Sequence, residues 1–359
     1  MLLLQIEWAS LIEKIALIVI ILLTSFGVAA YATWGERKVA AIMQDRLGPN
    51  RAGFAGLFQP LADGLKLFFK EEIIPDRSTR LIFMLGPCLF MVTALMTSAV
   101  IPWAPDLVLS NGHRISFQVA NVDIGILFVF GVVSVGVYGI MLGGWSSNNK
   151  FSLLSSIRSA SQSISYELAM GISLIALLMM TETLNLGKIA QDQHGFWSNG
   201  YFTWNFFKQP LGFLIFMVCS FAELNRAPFD LPECESELNM GYHQEYSSMK
   251  LGLFLFAEYI NMFISSAVMV TLFWGSYNYP GMDWVAAHTV NVPWVFTLTC
   301  VGAFFLKITA FILFFMFIRW TLPRFRYDQL MNLGWKGLIP LALFNMLVTG
   351  AVILFLMNR

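Results

Sequence analysis

The pattern of hydrophobic and polar positions divides the chain into long apolar runs separated by charged connections. Runs of spanning length fall near residues 11–34, 81–102, 122–144, 160–181, 210–225, 251–274, 294–318 and 337–356. An α-helix needs about 20 apolar residues to cross a hydrocarbon layer about 30 Å thick. All the runs but the fifth, the shortest, meet that length. The pattern therefore predicts an all-α integral membrane protein, a single polytopic domain over 1–359 with about eight transmembrane helices. No internal repeat is visible. Residues 60–70, PLADGLKLFFK, differ in kind. Leu61, Leu65, Phe68 and Phe69 recur at helical spacing, while Asp63, Lys66 and Lys70 fall on the other side. This predicts a short amphipathic helix, either lying in the membrane interface or packed on the spans as an ordinary loop helix.

Charge sets the expected orientation. The odd connections hold Arg37, Lys38, Arg46, Arg51, Lys66, Lys70, Arg77, Arg80, Lys150, Arg158, Arg226, Lys250, Arg319, Arg324, Arg326 and Lys336, sixteen basic residues. The even connections hold three, Arg114, Lys188 and Lys208. Basic residues favour the cytoplasmic side. Loops at about 35–80, 145–159, 226–250 and 319–336 are thus expected in the cytoplasm and both termini outside. The first apolar run is long enough to span and continues into GERK, so it is expected to be a span rather than a cleavable signal.

Composition agrees with the membrane reading and removes other classes. Hydrophobic residues make up 57% of the chain and charged residues 12%, about half the charged share of soluble domains. The net charge is zero, which points to no nucleic-acid partner. Cys88, Cys219, Cys234 and Cys300 lie far apart and form no C-x-x-C pair. No metal or iron–sulfur site is expected within this chain.

Charges inside the apolar runs carry the chemistry. An ionisable group in hydrocarbon costs at least about 2.5–3.5 kcal/mol on insertion scales. Glu167, Glu223 and Glu258 lie in the fourth, fifth and sixth runs, and Lys307 lies near the middle of the seventh. The expected topology places the three acids in the cytoplasmic half. Glu167 and Glu258 are each eight residues in from Ser159 and Lys250, about 12 Å at 1.5 Å per residue. Ser161, Gln162, Ser163, Ser165 and Tyr166 surround Glu167 with polar groups able to hold water. Two readings fit: a proton path through carboxylates, hydroxyls and water, or interhelical pairs that only hold the bundle together.

Two connections extend this picture. RAPFDLPECESELNMGYHQEYSSMK follows directly on Glu223 and leads towards Glu258. It sets Asp230, Glu233, Glu235, Glu237 and Glu245 against Arg226 and Lys250, a net of −3. Pro228 and Pro232 hold its start out of regular helix. GERKVAAIMQDRLGPNRAG places Glu36, Arg37 and Lys38 at the membrane exit, with Arg46 and Arg51 flanking a Gly-Pro turn. A basic cluster that sets orientation explains Arg37 and Lys38, but not Glu36.

Four stretches resemble one family closely: GERKVAAIMQDRLGPNRAGFAGLFQPLADGLKLFFKEEIIP, GWSSNNKFSLLSSIRSASQSISYELAMG, AELNRAPFDLPECESELNMGYHQEYSSMKLGLFLFAEYINMF and RWTLPRFRYDQLMNLGWK. The family is the membrane subunit of proton-pumping NADH–quinone oxidoreductase, respiratory complex I, known in bacteria as the H subunit and in mitochondria as subunit 1. With the span pattern, the resemblance covers essentially the whole chain. It implies eight spans with both termini outside, and a chamber where a lipid-soluble quinone, ubiquinone or menaquinone, enters. The amphipathic helix would border its entrance. Glu36, Arg37 and Asp63 match positions lining the chamber, with Arg46 beside them. Glu167, Glu223, Glu233, Glu235 and Glu258 match an acidic path from the chamber into the membrane. Glu237, Tyr166, Lys307 and Arg226 are further candidates for that path.

The resemblance also implies that no residue of this chain is catalytic alone. FMN and the iron–sulfur clusters would belong to partner subunits. The expected partners are peripheral quinone-site subunits on the cytoplasmic loops, small and antiporter-like membrane subunits alongside, and membrane lipid. The chain's length suggests a bacterial inner membrane rather than a mitochondrial one. Two departures from the family pattern occur: some members carry Glu where Ser134 stands, and Val-Ala or Val-Gly often replaces Asn239-Met240. A free-standing proton-coupled carrier would suit the intramembrane acids equally, but predicts internal repeats and short loops. A purely structural anchor leaves those acids unexplained.

Overall fold

The computed structural model describes residues 8–108, 113–195, 203–232, 235–289 and 292–357. Helices dominate from the first described residue. α1 runs Trp8–Met43, and α2, Gln59–Phe69, follows with Pro60 in its first turn, where a missing N–H costs nothing. α3 is Arg80–Met96, α4 is Gly125–Ser146 and α5 is Lys150–Thr181. The short α6, Leu186–Asp192, and α7, Asn205–Lys208, lead to α8, Pro210–Glu223. α9, Glu235–Leu238, precedes α10, Ser248–Phe273. α11, Met282–His288, α12, Pro293–Thr321, α13, Tyr327–Asn332, and α14, Ile339–Met357, complete the series. A π-helical turn, Leu333–Leu338, joins α13 to α14. The strand pair found among the described residues, β1 (Leu107–Val108) with β2 (Arg114–Ile115), was not expected from the apolar pattern.

Among the described residues, seven helical segments are long and apolar enough to span a membrane, and α8 is a shorter apolar helix. The protein is an all-α integral membrane protein, and the fifth run is the short one, as its sequence predicts. Several helices overrun the apolar segments. α5 starts at Lys150 rather than near 160, and the helical segment that ends in α14 starts at Tyr327 rather than 337. Hydropathy reads what a helix faces, whereas a cap decides where it begins. The Asn149 side chain accepts from the Phe151 N–H at 2.9 Å, satisfying a donor the helix leaves open. The serines of α5's first half then face protein: Ser152, Ser155 and Ser159 are buried.

α10 sits at the centre. It packs on α1, α2, α3, α8 and α12, and its last eight residues, Ser266–Phe273, are all buried. The α3–α4 seam is closer than ordinary side chains allow. A Cβ built on Gly139 would lie 2.9 Å from the Phe90 nitrogen, and one on Gly86 would lie 3.0 Å from Gly143 Cα. Small residues that let backbones touch are the usual means of helix association in lipid.

Candidate functional site

α1, α2 and α10 frame a cleft of about 430 Å³. Its polar wall carries Glu36, Arg37, Arg46, Asp63, Lys66 and Lys70, and its apolar wall Leu251, Leu255, Phe256 and Trp320. Arg37 bridges to Asp63 at 2.7 Å, and the Gln59 amide donates to Asp63 at 3.1 Å. The exposed Arg46 donates to Gln44 at 2.6 Å. The four chamber candidates thus line one cleft. α2 presents Asp63 and Lys66 to it, while Leu61, Leu65, Phe68 and Phe69 are 49–80% exposed. The apolar stripe of α2 therefore points away from the bundle rather than into it.

Behind the cleft lies a buried ionic cluster. Glu36 accepts from Arg319 at 2.5 Å, from the Tyr259 hydroxyl at 2.9 Å and from Arg226 at 3.3 Å. Arg226 is buried, lies over the Tyr259 ring at 4.3 Å and also faces Glu258 at 3.7 Å. Glu258 accepts from Tyr242 at 2.8 Å and faces His243 at 3.6 Å. One chain of contacts thus joins the cleft to an acid on the central helix. The residue sets come from α1, α10, α12 and the 226–247 connection, which are distant in sequence.

A second, smaller cavity of about 70 Å³ lies further along α10. Asn261, one helical turn from Glu258, lines it together with Ser265, Asn225, Ser163, Thr93 and Glu223. The space suffices for water. The Gln162 amide ties this region together by donating to the Ala222 and Phe229 carbonyls at 2.7 and 2.9 Å. Glu167 and Glu223 lie close enough for their charges to interact. On its other side Glu167 accepts from the Ser134 hydroxyl of α4.

Other predicted residues stand elsewhere. Tyr166 donates to the Leu330 carbonyl at 2.9 Å and packs beside Gly334 of the π-helical turn. Glu237 pairs with Arg158 at 2.8 Å on a half-exposed rim. Lys307 is not brought to the acids. Its ammonium donates to the Trp274, Ser276 and Asn278 carbonyls at 2.7, 2.9 and 2.5 Å, past the far end of α10. Glu258 precedes Trp274 by sixteen residues, roughly 24 Å of helix. Glu233 and the side chain of Glu235 lie outside the described residues.

The 226–250 connection is held by packing as much as by charge. Tyr246 stacks on Phe83 with ring centroids 4.1 Å apart and donates to the Phe83 carbonyl at 3.1 Å. Burial pushes its hydroxyl up to about 12, so it stays a donor at neutral pH. Asp230 pairs with Arg324 at 2.9 Å. Gly241 has φ +63°, and a Cβ there would collide with the Pro232 carbonyl. Sequence reasoning missed Tyr242, His243, Tyr259 and Asn261, and took Arg319 only as an orienting charge. The available signal was spacing: Tyr259 and Asn261 lie one and three residues from Glu258.

The family model for NADH dehydrogenase matches residues 15–350. The chain is 58% identical over 352 residues to the H subunit of NADH-quinone oxidoreductase from Flavobacterium johnsoniae, covering 97% of each chain. It is 57% identical over 344 residues to an H subunit of the same oxidoreductase from Cytophaga hutchinsonii, covering 96% of this chain and 97% of the relative. To an H subunit from Geobacter sulfurreducens it is 44% identical over 364 residues, covering 97% and 96%.

Proposed function

The chain belongs to the H-subunit family of NADH-quinone oxidoreductase, a membrane component of complex I, and from that premise we propose that it forms the quinone chamber and the start of a proton path. The observation that carries this reading is the run of polar contacts from the cleft through Glu36 and Arg226 to Glu258, with the small cavity lined by Glu223 reached one helical turn further along α10 at Asn261. Quinone enters between α1, α2 and α10 along Leu251, Leu255 and Phe256. The exposed apolar stripe of α2 lies in the lipid interface beside that entrance. Leu251, Leu255 and the stripe favour an isoprenoid tail, and Arg37, Arg46 and Asp63 set the polar limit of the cleft.

Electrons reach the quinone from flavin and iron–sulfur centres carried by neighbouring subunits docked on the cytoplasmic loops. Reduction creates negative charge at the head group, and in a low-dielectric enclosure that charge acts strongly on nearby ionised groups. Arg226 and Arg319 shift their balance between Glu36, Glu258 and the new charge. Glu258, Glu223 and Glu167 then exchange protons by way of the cavity and pass the change to the membrane subunits alongside; Glu233 and Glu235 of the acidic connection belong to the same path. Both termini face the periplasm of a bacterial inner membrane, an orientation that single-cysteine labelling of the 226–250 connection from the cytoplasmic side checks.

Glu223→Gln tests the path. The expected result is retained NADH oxidation by ferricyanide, with quinone-dependent turnover and proton pumping both reduced. Full pumping in that variant removes Glu223 from the path. A free-standing carrier makes a different forecast: purification of the chain would then bring no flavin- and iron-containing assembly with it.

A further inference from the structure

Glu167 is an acid in a spanning helix, and its neighbour across the α4–α5 interface is one hydroxyl. α4 carries no Asp, Glu, Lys or Arg over Gly125–Ser146. From its middle, Ser134 Oγ reaches the Glu167 carboxylate and lies 2.9 Å from the Phe130 carbonyl oxygen one turn back. A hydroxyl has one hydrogen and two lone pairs. With two acceptors in reach, it donates to one of them at a time.

The protonation of Glu167 decides which. When Glu167 is ionised, the Ser134 hydrogen points to the carboxylate. When Glu167 is protonated, its own O–H donates to Ser134 Oγ, and the Ser134 hydrogen turns to the Phe130 carbonyl. Both arrangements use the same heavy-atom positions and leave no polar group at this contact without a partner. An aliphatic side chain at 134 would leave Glu167 without this partner in either state, at the cost of an unsatisfied polar group in apolar surroundings.

We propose that Ser134 is a positioning residue of the proton path, a rotating hydroxyl that keeps Glu167 hydrogen-bonded in both its charged and its neutral form. This rests on the reading of Glu167 as a proton-carrying acid. A side chain that merely fills space between α4 and α5 could be replaced by Ala at little cost. A hydroxyl that follows the charge of Glu167 could not, whereas Thr supplies the same O–H.

The test uses the assembled complex with Ser134→Ala, Ser134→Thr and Glu167→Gln. Infrared difference spectra are taken on quinone reduction, with pumping rates normalised to the ferricyanide rate. Glu167→Gln identifies the carboxyl C=O band of Glu167 by its disappearance. The expected result is that Ser134→Ala moves that band to higher frequency and lowers pumping about three- to tenfold, the scale of one lost hydrogen bond. Ser134→Thr should restore both. An unmoved band with pumping within about twofold of the parent in Ser134→Ala overturns the inference, as does equal loss in the Ala and Thr variants. If Glu167→Gln itself pumps fully and removes no band, the proton-path reading of Glu167 fails instead. If Glu167→Gln abolishes both while Ser134→Ala behaves as the parent, only the role of Ser134 falls.

Discussion

Replacing Glu36 by Gln strikes the point where the cleft meets the buried cluster. Glu36 is 7% exposed and accepts from three donors, at 2.5 Å from Arg319, 2.9 Å from Tyr259 and 3.3 Å from Arg226. Gln keeps one acceptor oxygen and turns the other into an N–H donor. Tyr259 can accept from that amide, but the two guanidinium groups cannot, so at least one charge-assisted bond is lost. Such a bond contributes about 1.5–3 kcal/mol, and each 1.4 kcal/mol is about tenfold. Quinone-dependent NADH oxidation should therefore fall by about ten- to 150-fold. The assay pairs NADH oxidation by a short-chain quinone with NADH oxidation by ferricyanide in the same membranes. The ferricyanide rate should stay at the parent level, because it needs only an assembled peripheral arm. Glu36→Asp, which keeps the charge, should fall between Gln and the parent. A quinone rate within about threefold of the parent in Glu36→Gln would refute the assignment of this cluster to the chamber wall.

Three further outcomes follow from particular contacts. Gly139→Leu should prevent stable incorporation of the chain into its complex, because even a Cβ there would lie 2.9 Å from the Phe90 nitrogen; native electrophoresis of the solubilised complex would show the assembly missing. Asp63→Asn breaks a half-exposed bridge to Arg37 whose contribution to stability is about 0–1 kcal/mol, so thermal stability should hold while the KM for quinone rises. Lys307→Met leaves three carbonyls without their common donor, and should lower the thermal midpoint of the complex while the number of protons moved per NADH stays unchanged. A lowered ratio at parental stability would return Lys307 to the proton path.

The bundle was legible because membrane helices must bury their own hydrogen bonds, so their length shows directly in hydropathy. The seven long helical segments and the short α8 fall where the apolar runs lie. Helix ends were less legible, since Asn149 and the polar start of α5 look like loop to any hydropathy scale. Glu223 and Glu258 stood out as charges in costly places, Glu36 and Asp63 through the family resemblance of their stretch, and the structure lines each of them on one of two cavities or joins it to the buried cluster. What joins them was hidden. Arg319 looked like one of sixteen orienting charges, and only folding brings it 283 residues back along the chain to Glu36. Tyr242 and His243 sit in a connection whose shape depends on tertiary contacts such as the Phe83–Tyr246 stack, and no periodicity announces them. Lys307 shows the opposite failure: its charge was conspicuous, yet its partners are backbone carbonyls, which a sequence does not display.

The clasp of Lys307 on three carbonyl groups beyond α10 has a mechanical consequence. It fixes α12 to the far end of the central helix at a spot where the backbone has left its own hydrogen-bonding pattern, while the half of α10 that borders the cleft carries Glu258 among groups that can exchange partners. A rod held at one end and loaded at the other bends; it does not slide or spin as a whole. Changes of charge at Glu258 must therefore be taken up over its first turns, near Gly252 and the cleft, and fade towards Trp274. Spin labels placed across α10 and α12 should report a constant separation at the Lys307 end through turnover, with all measurable displacement confined to the end that borders the cleft.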